Sequence, residues 1–117
     1  MIRAIRGATT AENTPESIFE STRVMLKEIF TVNGLDIGQI VSIIFTCTKD
    51  LDAAFPAVAA RELGIVSAAL MCVAEMDVPG SLPKCIRVML LVETDLPQDE
   101  IDHVYLKGAR VLRPDLV

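Results

Sequence analysis

KCIRVMLLVET, residues Lys84 to Thr94, is the stretch on which the reading of this chain turns. Its dense apolar run with β-branched residues predicts a strand. Pro79-Gly80 and Pro83 close it on one side, Asp95 and Pro97 on the other. One residue in its middle does not suit an apolar strand, Arg87. Taking a guanidinium out of water is costly unless an anion meets it. Arg87 therefore has either a structural carboxylate partner or an anionic ligand, and this stretch alone leaves both open.

Outward from that strand, the patterning predicts an α+β domain over residues 1–117. Ile2 to Arg6 reads as a first short strand, followed by Gly7 and a polar turn through Thr14. Thr14 suits a helix cap, Pro15 the first helical position, and Glu16 the positive end of the dipole. Ile18, Thr22, Met25, Leu26 and Ile29 then form a stripe at helical spacing, which Asn33-Gly34 ends. Ile40 to Cys47 is a continuous apolar run and predicts a strand buried on both faces. A polar loop, Thr48 to Ala54, leads to a short Ala-rich helix from Pro56 to Leu63, stopped by Gly64. Ser67 to Val73 reads as the next strand and precedes the central one. Beyond it, an acidic turn follows Pro97. Val104 to Leu112 then reads as a last strand bent at Gly108. The order β-α-β-α-β-β-turn-β predicts a mixed β-sheet with two helices on one face and subunit contacts on the other.

Hydrophobic residues make up 51 % of the 117, yet only 4 % are aromatic and Trp is absent. With a mean hydropathy of +0.45, the core is aliphatic and more apolar surface remains than a small monomer hides, which predicts a symmetric oligomer. No apolar run reaches the ~18–20 residues of a membrane span, and MIRAIRG lacks a signal-peptide core. A net charge of −5 speaks against nucleic acid as partner. Cys47, Cys72 and Cys85 lack metal-ligand spacing and read as reduced, buried thiols of a cytoplasmic protein. With one histidine, His103, no metal site is expected.

No phosphate loop, nucleophile elbow or metal-protease motif occurs. What remains is a set of polar residues at strand ends: Arg6, Arg61, Glu75, Arg87, Tyr105 and Arg113. Each has an ordinary reading as a solvated charge, surface acid or rim tyrosine. Four of the seven arginines at such positions would together fit a dicarboxylate, because guanidinium groups pair with carboxylates bidentately. Cys72 has no nearby base to make it a nucleophile. It stands three residues from Glu75, so a straight strand points the two to opposite faces.

In this order these residues resemble the AroH-class chorismate mutase family. The matching stretches are IRGATT (Ile5 to Thr10), AFPA with REL (Ala54 to Ala57, Arg61 to Leu63), CVAEMDV (Cys72 to Val78), KCIRVM (Lys84 to Met89), PQD with HVYL (Pro97 to Asp99, His103 to Leu106) and VLRPDL (Val111 to Leu116). Val58 stands where some members carry a lysine, and Met71 where a threonine occurs. The resemblance implies a homotrimeric pseudo-barrel with sites between subunits, converting chorismate to prephenate in aromatic amino-acid biosynthesis without a cofactor. It implies that Arg6, Arg87 and Tyr105 bind carboxylate and ether groups, while Glu75 and the Cys72 backbone take the ring hydroxyl. Phe55, Ala57 and Arg61, with Leu70 and Met71 beside Cys72, would line the pocket. Leu112 and Arg113 would belong to a mobile tail, about residues 111–117, that folds over it. An intramolecular rearrangement needs no base, nucleophile or metal, only a dianion held compact and a cation at the breaking C–O bond. The alternatives are a trimeric imine or enamine deaminase of similar fold, or a non-catalytic trimer binding an aromatic-pathway metabolite.

Overall fold

The run around Arg87 forms a strand of nine residues in the middle of a five-stranded sheet in the computed structural model, which describes residues 1–116. In chain order the elements are β1 (Ile2–Thr10), α1 (Pro15–Asn33), β2 (Ile40–Cys47), α2 (Ala57–Glu62), β3 (Ala69–Ala74), β4 (Cys85–Glu93) and β5 (Val104–Tyr105), with short 3-10 turns between and after them. The sheet order is β3-β2-β4-β1-β5. β4 runs antiparallel to β1 and β2, whereas β2–β3 and β1–β5 are parallel pairs. The sheet is mixed, as the order of elements predicts.

Alternation along the strands divides the sheet into two unlike faces. On β4, Ile86, Val88, Leu90 and Val92 are buried, and they join Ile5, Ile43 and Phe45 in one core. Both helices cover this face. Thr14 caps α1 by accepting the Ser17 N–H, and Ile18, Met25, Leu26 and Ile29 lie fully buried along it. Gly34, at φ 60°, takes the left-handed C-cap conformation that a side chain rarely adopts.

The opposite face carries Arg6, Ala8, Ile44, Thr46, Met71, Arg87, Met89 and Leu91, by alternation with those core residues and by register. It is apolar yet open: Ile44, Met71, Met89 and Leu91 are all exposed. This corrects the expectation for Ile40–Cys47, which is covered on one side only, because both helices pack on that side. Three further expectations change. β1 extends to Thr10, since Gly7 to Thr10 pair with Val88 to Cys85 and Thr9 is fully buried. β3 begins at Ala69, two residues later than the apolar run, where its pairing with Ser42 starts. The last strand is Val104–Tyr105 alone, because Lys107 takes a positive φ of 53° and the chain turns into a 3-10 segment, Lys107–Leu112. Gly108 donates its N–H to Thr10 Oγ1, and Ala109 is buried against the end of the sheet. Among the described residues no helix is long and apolar enough to cross a membrane.

Candidate active site

The open face carries a row of side chains set by register. Thr46 pairs with Arg87, Arg87 with Ala8, and Ala8 with Tyr105. Neighbouring strands lie about 4.8 Å apart, and Ala8, fully buried, stands between Arg87 and Tyr105 in this row. A second row places Ile44, Met89 and Arg6 side by side. Arg6, Ile44, Thr46, Glu75, Arg87 and Met89 line a cavity of about 260 Å³.

Glu75 follows β3 directly, and its N–H donates to the Cys47 carbonyl, which carries the chain one step further along β2. Its carboxylate accepts from Thr46 Oγ1 at 2.6 Å and stands 3.4 Å from Arg87 Nε. That Nε is buried and has no hydrogen-bond partner among the described residues. Arg87 therefore has a structural carboxylate neighbour, one of the two sequence readings of this arginine, but its Nε is not saturated by it. A buried donor left unbonded is costly, and an anion arriving at it recovers that cost.

Arg6 and Tyr105 are placed from the other side. Asn33, at the end of α1, exchanges two hydrogen bonds with the backbone of Asp102, at 2.9 and 2.8 Å. This fixes the approach to β5, where Tyr105 is buried against Ala8, Cys85 and Ala109, with Leu112 packed on the same cluster. His103 Nδ1 accepts the Arg6 backbone N–H at 3.0 Å. Arg113 pairs with Asp115 at 3.0–3.1 Å. Chiefly Asp115, with Tyr105 behind it, holds the Arg113 guanidinium above its ordinary pKa. Thr46, His103 and Asn33 were missed by sequence reasoning, and only the register and the tertiary hydrogen bonds reveal them.

The remaining expected residues lie elsewhere. Phe55, Ala57, Arg61, Leu70 and Cys72 line a separate cavity of about 310 Å³ beside edge strand β3 and α2. Leu70 and Cys72 pack against the helix-side core, so Cys72 and Glu75 do point to opposite faces. Met71, expected beside Cys72 in the pocket wall, alternates to the open face and is 59 % exposed. These residues thus line two separate cavities, on opposite faces of the sheet. The cysteines are free thiols, and burial pushes Cys47 up to about 11 and raises Cys85 as well. Among the described residues no cluster of His, Cys, Asp or Glu is spaced to hold a metal ion.

The family model described as chorismate mutase type I matches residues 2–116. The chain belongs to the type I chorismate mutase family. Two curated relatives carry the name chorismate mutase AroH. The one from Thermus thermophilus is 49 % identical over 118 aligned positions, covering 99 % of this chain and 97 % of the relative. The one from Bacillus subtilis is 51 % identical, covering 99 % and 93 %. A solved chorismate mutase from Clostridium thermocellum is 60 % identical and superposes with a TM-score of 0.91 over 92 % of this chain and 97 % of that one. The activity of this family member is chorismate mutase, an isomerase reaction. It is the mutase reading of the sequence, not the deaminase reading, that these matches carry.

Proposed function

We propose that this single-domain chain turns chorismate into prephenate in the cytoplasm, as a homotrimer, in pockets shared between neighbouring copies. The observation that carries the site is the unsaturated Arg87: among the described residues its buried Nε has no hydrogen-bond partner, and the Glu75 carboxylate stands 3.4 Å away. Two features support sharing. The Arg87 half-pocket and the Phe55–Arg61 half-pocket fall in different cavities of about 260 and 310 Å³, at or below the lower end of ligand pockets, roughly 300–1,000 Å³. The open face also exposes Ile44, Met71, Met89 and Leu91 together, an apolar surface that a monomer rarely carries.

The chemistry is intramolecular. A C–C bond forms at one end of the substrate as the ether C–O bond breaks at the other, with no change in composition. Binding holds the dianion in the folded conformer that brings the two ends together, which removes an entropic part of the barrier. Arg6, Arg113 and Arg61, whose guanidinium groups match carboxylates, hold the two carboxylates. Tyr105 closes the end of the row. Glu75 of one copy and the Cys72 backbone of the next take the ring hydroxyl. Arg87 meets negative charge that grows on the ether oxygen as the bond breaks, and a preorganised cation acts most strongly at that point.

Mixing two inactive variants tests the shared pocket. Arg87→Ala and Arg61→Ala chains are refolded together, and loss of chorismate is followed without cofactor and with chelator present. Mixed trimers then contain some pockets with both arginines, so activity returns above either parent. A mixture as inactive as its parents places both arginines in one chain's pocket and overturns the reading.

A further inference from the structure

We propose that Thr46 is a positioning residue that holds Glu75 off Arg87 and so keeps the Arg87 guanidinium open for substrate. This rests on the reading of Arg87 and Glu75 as site residues. The geometry is specific to one oxygen. Glu75 Oε2 accepts the Thr46 hydroxyl at 2.6 Å, and the same Oε2 stands at ion-pair distance, 3.4 Å, from Arg87 Nε without accepting a hydrogen bond from it. Thr46 is the direct register partner of Arg87 across β2 and β4, and both line the same cavity.

Arginine and carboxylate left to themselves close into a bidentate pair, the strongest arrangement open to them. Such a pair would occupy the donor edge that a substrate oxygen must reach. A threonine hydroxyl gives Glu75 a competing, short, charge-assisted bond, while Glu75 remains near enough to orient the guanidinium. The arrangement leaves the buried Nε without a hydrogen-bond partner among the described residues. That state is held open by the surrounding sheet and is relieved when ligand binds. Thr46 itself contributes no charge and need not touch the reacting atoms.

The test is Thr46→Val, which keeps the β-branched shape and removes only the hydroxyl, with Thr46→Ser as the restoring variant. In ligand-free protein the Arg87 Nε–H resonance of Thr46→Val is expected to move downfield and exchange more slowly, as Glu75 closes on it. kcat/KM for chorismate is expected to fall about tenfold, the scale of one hydrogen bond to a charged group. Thr46→Ser is expected to restore both. In a Glu75→Gln background, Thr46→Val should add little further loss, because there is no longer a carboxylate to restrain. An unmoved Arg87 resonance in Thr46→Val overturns the proposal, and so does failure of Thr46→Ser to restore it. A moved resonance with kcat/KM intact supports the Thr46 restraint and instead refutes the placing of Glu75 and Arg87 at the reacting bond.

Discussion

The imidazole of His103 accepts the backbone N–H of Arg6 through Nδ1 at 3.0 Å, joining residues 97 apart in sequence. The bond requires Nδ1 to be unprotonated. Burial holds the His103 pKa below its ordinary value, with the cations Arg113 and Arg6 pushing it further down and Asp102 opposing them. The unfolded chain therefore takes up this proton before the folded chain does. Stability is full above about pH 6.5, the ordinary histidine pKa, and falls as pH drops through that value towards the lower folded-state pKa. His103 is the chain's one histidine, so no other imidazole contributes. Thermal unfolding of the parent should show this slope below about pH 6.5, and His103→Gln should flatten it. An equal slope in both proteins would place the titration elsewhere.

Arg87 should control the rate more than the affinity. A cation that meets charge developing only in the transition state acts on kcat. Arg87→Ala should cost about 3–4 kcal/mol, a loss of roughly 10²–10³-fold in kcat. Arg87→Lys should recover only part, because a point charge does not reproduce the guanidinium fork. Arg110→Ala, exposed on the 3-10 segment, is the control and should change little. Steady-state kinetics at saturating chorismate decides the matter, and a kcat for Arg87→Ala within tenfold of the parent would falsify the assignment.

Gly7 has little room for a side chain. A Cβ built there would stand 2.9 Å from Ile29 Cδ1 and 3.1 Å from Val88 Cγ2, between β1 and α1. Overpacking of this kind costs about 1–3 kcal/mol. Gly7→Ala should lower the denaturant midpoint accordingly, and an unchanged midpoint would mean that α1 gives way freely.

The exposed apolar face predicts its own disruption. Leu91 is 36 % exposed on the face away from the helices. In a trimer built on that face, Leu91→Asp places a carboxylate in a dry interface and should shift sedimentation towards the monomer at micromolar concentration. An unchanged sedimentation coefficient, or a parent already monomeric and fully active, sinks the proposed assembly.

The tail should act on capture. Arg113 turns back on Asp115 and lies beside Tyr105, and Leu112 packs on the Tyr105 cluster. Removing residues from Arg113 onward takes away the guanidinium proposed to hold a substrate carboxylate, without touching Arg87. KM should rise about tenfold or more, the scale of a charge-assisted bond, with kcat largely kept. Loss of kcat at saturating chorismate would give the tail a part in bond breaking.

Much of this protein was legible in one dimension, where local patterns carry it. α1 begins at Thr14 and ends at Gly34 because capping chemistry acts within a few residues. β4 starts and stops within a residue of the apolar run, and the family was readable from short motifs around Arg6, Arg87 and Tyr105. Tertiary structure alone decided the rest. β2 is as apolar as a strand buried on both faces, yet one face lies open, because where the helices pack is not written in β2. Val104 to Leu112 has strand composition but pairs for only two residues, since the positive φ at Lys107 and the Thr10–Gly108 contact turn the chain away from β1. Thr46 meeting Glu75, His103 meeting Arg6 and Asn33 meeting Asp102 join residues 29, 97 and 69 positions apart. Polar groups pair by distance in space. A sequence shows which of them exist, and the register of the sheet decides which of them meet.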